Sequence, residues 1–155
     1  MHTKTKILIL DDYADLLEAL TIFLEGQSFE VCTVGHEESF KAELMRFKPD
    51  VIILDVDIKG ICDGRKICKM IKSNMETKHI PVILMSASIP LLKNYEECNA
   101  DAVINKPFDL VLLLEKIRAL AHRNIGEVLT RNRDEMSCLI SLIDKSKPYE
   151  NIYAG

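Results

Sequence analysis

Val51-Ile52-Ile53-Leu54-Asp55-Val56-Asp57 decides the fold. Four apolar residues in a row, three of them β-branched, run straight into a carboxylate. A run this short and dense reads as a strand buried on both faces, the kind found inside a parallel sheet. A carboxylate at the carboxyl end of such a strand stands where open α/β sheets place their ligands. Asp55 is therefore a candidate nucleophile or metal ligand. Starting a loop or capping a helix is the plainer alternative.

Working outward, the same grammar repeats on both sides. Lys6–Leu10 is a first apolar strand, ending in Asp11 and Asp12, and Leu16, Leu17, Leu20, Phe23 and Leu24 follow at helical spacing up to Gly26. Phe29–Val34 alternates as a second strand. Gly35 and His36 turn the chain into a helix marked by Phe40, Leu44 and Phe47 and stopped by Pro49. Beyond Asp55 come a glycine-punctuated loop, Ile58–Gly64, and a helix carrying Ile67, Met70 and Ile71. Pro81–Met85 is a fourth strand leading into Ser86-Ala87-Ser88, and a short helix over Leu91–Cys98 follows. Ala102–Ile104 is a fifth strand, followed by Asn105-Lys106-Pro107-Phe108, and Asp109 caps a last helix containing Leu113, Ile117 and Leu120. Five strand–helix repeats predict an α/β fold, a doubly wound five-stranded parallel sheet with helices on both faces. The pattern finishes near Arg123, giving one domain over 1–123. A tail over 124–155 holds one amphipathic helix marked by Met136, Leu139, Ile140 and Ile143, too short to be an independent DNA-binding or catalytic domain.

Composition narrows the function classes. The 155 residues are 48% hydrophobic and 28% charged, enough for one soluble domain with a real core. A net charge of -4 argues against non-specific nucleic-acid binding as the main task. No apolar run approaches the roughly 20 residues that span a bilayer. The N-terminus lacks the apolar core of a signal peptide, so a cytoplasmic location is expected, with neither membrane nor nucleic acid as partner. The five cysteines (Cys32, Cys62, Cys68, Cys98, Cys138) are scattered without a C-x-x-C pair, as reduced packing thiols are. The four histidines are equally dispersed and form no ligand cluster.

A parallel sheet brings all its carboxyl ends to one edge, so Asp11, Asp12, Asp55, Ser86 and Lys106 converge there. Carboxylates gathered in one place repel one another and need a cation to stay ionised. Hard oxygen ligands at a solvent-open edge suit Mg²⁺. A lysine and a small hydroxyl beside that ion are what a phosphoryl group needs, with Asp55 as the attacking oxygen.

These positions in this order resemble the receiver domain of bacterial two-component response regulators, here of a stand-alone type, over about Lys6–Arg123. The resemblance implies a flavodoxin-like fold of sheet order 2-1-3-4-5. It implies that Asp55 accepts a phosphoryl group from a sensor histidine kinase or phosphotransfer protein, and that the chain is not an enzyme in its own right. It also implies that Asp12 and Asp55 ligate Mg²⁺, with Asp11 acting largely through water and the backbone carbonyl of Asp57 completing the site. Ser86 and Lys106 would hold the phosphoryl oxygens, and the Lys106-Pro107 peptide would be cis.

The chain departs from that family at several points. The stretch from Asp55 to Asp63-Gly64 is one residue longer than usual, and Lys59 stands where proline is common. Asp57 is acidic where the family is usually apolar, Val103 replaces an aromatic residue that swings on activation, and Asn99 replaces a common glycine. Two other functions compete. A receiver-like adaptor would bind partners without phosphorylation. A haloacid-dehalogenase-type phosphatase would use Asp55 as nucleophile and Asp57 as acid/base, but Lys59 interrupts its motif and no cap domain is available. The run Leu110-Val111-Leu112-Leu113-Leu114 is more apolar than one buried face requires. It predicts a surface for an unknown downstream protein or a homodimer through the last helix, against denser core packing or cover from the tail.

Overall fold

The computed structural model describes residues 3–59 and 62–129. Five parallel strands form one sheet: β1 (Lys6–Leu10), β2 (Glu30–Val34), β3 (Val51–Asp55), β4 (Val82–Ser86) and β5 (Ala102–Asn105). Their spatial order is 2-1-3-4-5, with Ile7 beside Val51, Ile52 beside Val82 and Ile83 beside Ala102. This is the doubly wound arrangement that the strand pattern predicts, in the flavodoxin-like order that the resemblance implies. Every residue of β3 and β4 is buried, which is why both read as unbroken apolar runs.

The two faces of the sheet follow the two-residue period of the strands. Leu8, Leu10, Ile52, Leu54, Val82 and Leu84 face α2 (Glu37–Phe47) and α3 (Gly64–Ser73), meeting Phe40, Leu44, Phe47, Ile67 and Ile71. Ile7, Ile9, Val51, Ile53, Ile83 and Met85 face α1 (Ala14–Gly26) and α5 (Leu110–Leu129), meeting Leu20, Leu24, Leu113, Ile117 and Leu120. Each fully buried side chain of this size contributes about 1.5–3 kcal/mol. The strand ends that carry chemistry are thus held between two filled layers.

Several elements differ from the sequence expectation. The stretch after Asp55 is a two-stranded antiparallel ribbon, Asp57–Ile58 paired with Cys62–Asp63, rather than an open loop. On α3 the buried face is Gly64, Ile67, Cys68 and Ile71, while Met70 is exposed; the thiol fills the place assigned to the thioether. The helix expected over Leu91–Cys98 is split into α4 (Ile89–Leu92) and a 3₁₀ turn (Tyr95–Cys98). Pro90 restarts the chain at the head of α4, and Asn99 closes the turn at φ 59. That left-handed geometry is why glycine is replaceable there by asparagine, the side chain that best tolerates it. The last helix continues to Leu129, because Ala121, Ile125, Val128 and Leu129 keep the apolar spacing without a proline. Internal packing divides the chain into Met1–Asn124 and Ile125–Gly155. The tail helix expected around Met136–Ile143, and Cys138 with it, lie outside the described residues.

Candidate functional site

Backbone hydrogen bonds carry the sheet past its strands and fix the site residues. The Asp11 amide donates to the Val34 carbonyl (3.2 Å), the Val56 amide to Met85 (2.9 Å), and the Lys106 amide to Ser86 (2.8 Å). Asp11 and Asp55 are buried, and Asp12 is half-buried beside them. One carboxylate oxygen from each of Asp11, Asp12 and Asp55 falls within 4.8 Å of the others. Into this group reaches Lys106, whose Nζ donates to Asp11 Oδ2 (2.5 Å) and Asp55 Oδ1 (2.9 Å). The other oxygen of Asp11, Oδ1, accepts from the Tyr13 amide (2.8 Å), which ties the carboxylate to the start of α1.

Ser86 ends β4 and is buried; its Oγ accepts from the Ser88 amide at 3.0 Å. The Lys106-Pro107 peptide is cis, as the resemblance implies. Asp109 caps α5 through the Val111 amide (2.7 Å). The side chain of Asp57 is exposed at the start of the ribbon, and among the described residues it is not one of the clustered carboxylates. Val103 lies half-buried on β5 against the α2–α3 face of the core, to which Tyr95 of the 3₁₀ turn also packs.

The electrostatics follow from this crowding. Burial pushes the Asp55 carboxyl above its ordinary value; Asp11 and Asp12 add to the effect, and the hydrogen bond and charge of Lys106 oppose it. Burial alone would lower the Lys106 ammonium, but its bonds to Asp11 and Asp55 outweigh that and raise it. Cys68 and Cys98 are buried packing residues. Burial pushes the Cys68 thiol well up, and its Sγ donates to the Cys98 carbonyl at 3.4 Å.

Two residues that sequence reasoning did not assign to the site lie against it. A Cβ on Gly64 would lie 2.0 Å from the Asp55 carbonyl oxygen, and the Gly64 amide donates to Val56 O at 3.0 Å. The available signal was a glycine directly after a helix-capping residue, where helix propensity gives no reason for it. Asp63 is that cap, accepting from the Arg65 amide (2.9 Å). The second is Lys59, whose Nζ lies 3.7 Å from Asp12 Oδ2.

The chain belongs to the response regulator receiver domain family, which matches residues 7–118. It is 28% identical over 144 residues to the DNA-binding response regulator MtrA of Mycolicibacterium paratuberculosis, covering 91% of this chain and 58% of that protein. It is 32% identical over 119 residues to the response regulator PleD of Caulobacter vibrioides, covering 76% of this chain and 26% of that one. The chain thus spans little more than half of the one relative and about a quarter of the other. Among solved structures, the signal receiver domain of a signal transduction histidine kinase from Syntrophus aciditrophicus superposes with a TM-score of 0.70 at 27% identity, covering 84% of this chain and 96% of that one.

Proposed function

We propose that this chain is a phospho-accepting receiver. Asp55 takes a phosphoryl group from the phosphohistidine of a sensor kinase or phosphotransfer protein in the cytoplasm, and the modified domain signals through protein–protein contacts. The observation that carries this reading is the Lys106 ammonium bridging Asp55 and Asp11 beside Asp12, on the edge where parallel sheets place their ligands. In the transfer, the P–N bond to the donor imidazole breaks as an Asp55 oxygen forms the new P–O bond. Lys106 holds the carboxylate in place and stays beside the charge that builds on the phosphoryl oxygens. Ser86 Oγ already accepts from the Ser88 amide, so its own hydrogen is left to donate to a phosphoryl oxygen.

The donor set fits Mg²⁺: clustered carboxylate oxygens, with no thiolate or imidazole among them. Asp11, Asp12 and Asp55, with the backbone carbonyl of Asp57, would hold the ion. When bound it supplies positive charge to the phosphoryl oxygens. No helix among the described residues is long and apolar enough to cross a membrane.

Incubation with Mg²⁺ and acetyl phosphate tests the proposal. The wild-type mass is expected to rise by one phosphoryl group, in a hydroxylamine-sensitive form, and Asp55→Asn is expected to show no gain. An unmodified wild type, or an equally modified Asp55→Asn, rejects it. Multiple turnover of generic phosphomonoesters would favour the phosphatase instead.

A further inference from the structure

Among the described residues, the ammonium groups of Lys106 and Lys59 pair with the carboxylates of Asp11, Asp12 and Asp55. Their environments are opposite. Lys106 is half-buried and hydrogen-bonded from within the sheet edge. Lys59 stands outside, with its side chain 83% exposed and its Nζ 3.7 Å from Asp12 Oδ2. Its backbone is nonetheless well placed. It follows Ile58 in the ribbon, where Asp57 pairs with Asp63 and Ile58 with Cys62. The Gly64 amide ties the far side of the ribbon back to Val56. A short tether therefore keeps a positive charge beside Asp12, while exposure leaves that charge free to leave.

We propose that Lys59 is a positioning residue that sets the cation affinity of the site: an exchangeable counter-charge competing with Mg²⁺ for Asp12. The inference rests on reading the cluster as a phosphoryl-acceptor site with a cation. A divalent ion reaching Asp12 must displace the Lys59 ammonium and then remain near it, and both effects weaken binding. An exposed pair is weak, so the competition is mild and reversible; the typical range for such pairs corresponds to a change in affinity of up to about fivefold. Lys106 cannot play this part, because its ammonium is held by two buried carboxylates at once.

Calorimetric titration of Mg²⁺ into the full chain tests this, comparing wild type with Lys59→Met, Lys59→Gln and Lys59→Arg. The Met and Gln variants keep the stem and lose the charge. They are expected to bind Mg²⁺ more tightly, by up to about fivefold, at low ionic strength. Lys59→Arg is expected to match wild type, and the gap is expected to close in high salt as the charges are screened. A purely structural role in the ribbon would change melting temperature without a salt-dependent change in affinity. Neutral variants that bind as wild type or more weakly, with wild type binding Mg²⁺, overturn the role of Lys59 alone. A wild type that binds no Mg²⁺ overturns the cation site and this inference together.

Discussion

Asp55 holds its charge where water only partly reaches it, between two further carboxylates and one ammonium. A carboxyl raised above its unfolded value binds its proton more tightly in the folded state. That stability is full below the ordinary aspartate range and is lost as the pH rises through the raised value. At neutral pH the metal-free fold therefore carries a penalty. Asp55→Asn keeps an oxygen for Lys106 and removes the charge, so its metal-free melting temperature is expected to exceed wild type by about 2–4 °C at neutral pH. The gain is expected to shrink as the pH is lowered toward about 4. Thermal melts across pH check this, and an Asn variant that melts below wild type at pH 7 would show that the Lys106 charge pair dominates instead. Gly64 is the second decisive residue, because an added methyl meets the Asp55 peptide itself. Gly64→Ala is expected to cost about 1–3 kcal/mol in urea unfolding. It is also expected to slow phosphorylation, since the displaced atoms carry the acceptor; unchanged stability and rate would refute the close approach.

Among the elements, legibility tracked how many constraints acted on the same residues. β1, β3 and β4 are buried on both faces, so composition alone revealed them, and their terminal residues Asp11–Asp12, Asp55 and Ser86 came with them. The convergence of Asp11, Asp12, Asp55 and Lys106 followed from parallel topology rather than from spacing in the chain. The ribbon after β3 was illegible because two-residue strands have no period to detect, and what holds them is the register between Asp57–Ile58 and Cys62–Asp63. Helical spacing identified α3 but misjudged its face: Cys68 and Met70 are both apolar, and only the angle of the helix against the sheet separates them. α4 broke because Pro90, Asn94 and Asn99 each favour a boundary, and no strong apolar stripe overrides them. Close approaches such as that of Gly64 to Asp55 leave almost no trace in a single sequence.

For the molecule as a whole, the open question is how a change at one sheet edge reaches a partner. Leu110, Val111 and Leu112 at the start of α5 are 38%, 58% and 43% exposed, so denser core packing does not account for them. They lie a few residues beyond Lys106, and we propose a homodimer through this helix as one use of the surface. A beryllofluoride phosphoryl mimic with Mg²⁺ is expected to shift the chain toward a dimer in sedimentation velocity, and Val111→Glu is expected to prevent the shift. A monomer unchanged by the mimic counts against that use. The backbone bonds under the site have a separate consequence. The amides of Asp11, Val56 and Lys106 each reach across to the neighbouring strand just past the point where regular pairing stops. Those bonds tie the site residues into the buried sheet, and opening of such core strands approaches global unfolding. The acceptor is thus not a loop that frays while the scaffold endures. Substitutions that loosen the sheet along these strands are therefore expected to lower phosphorylation and thermal stability together.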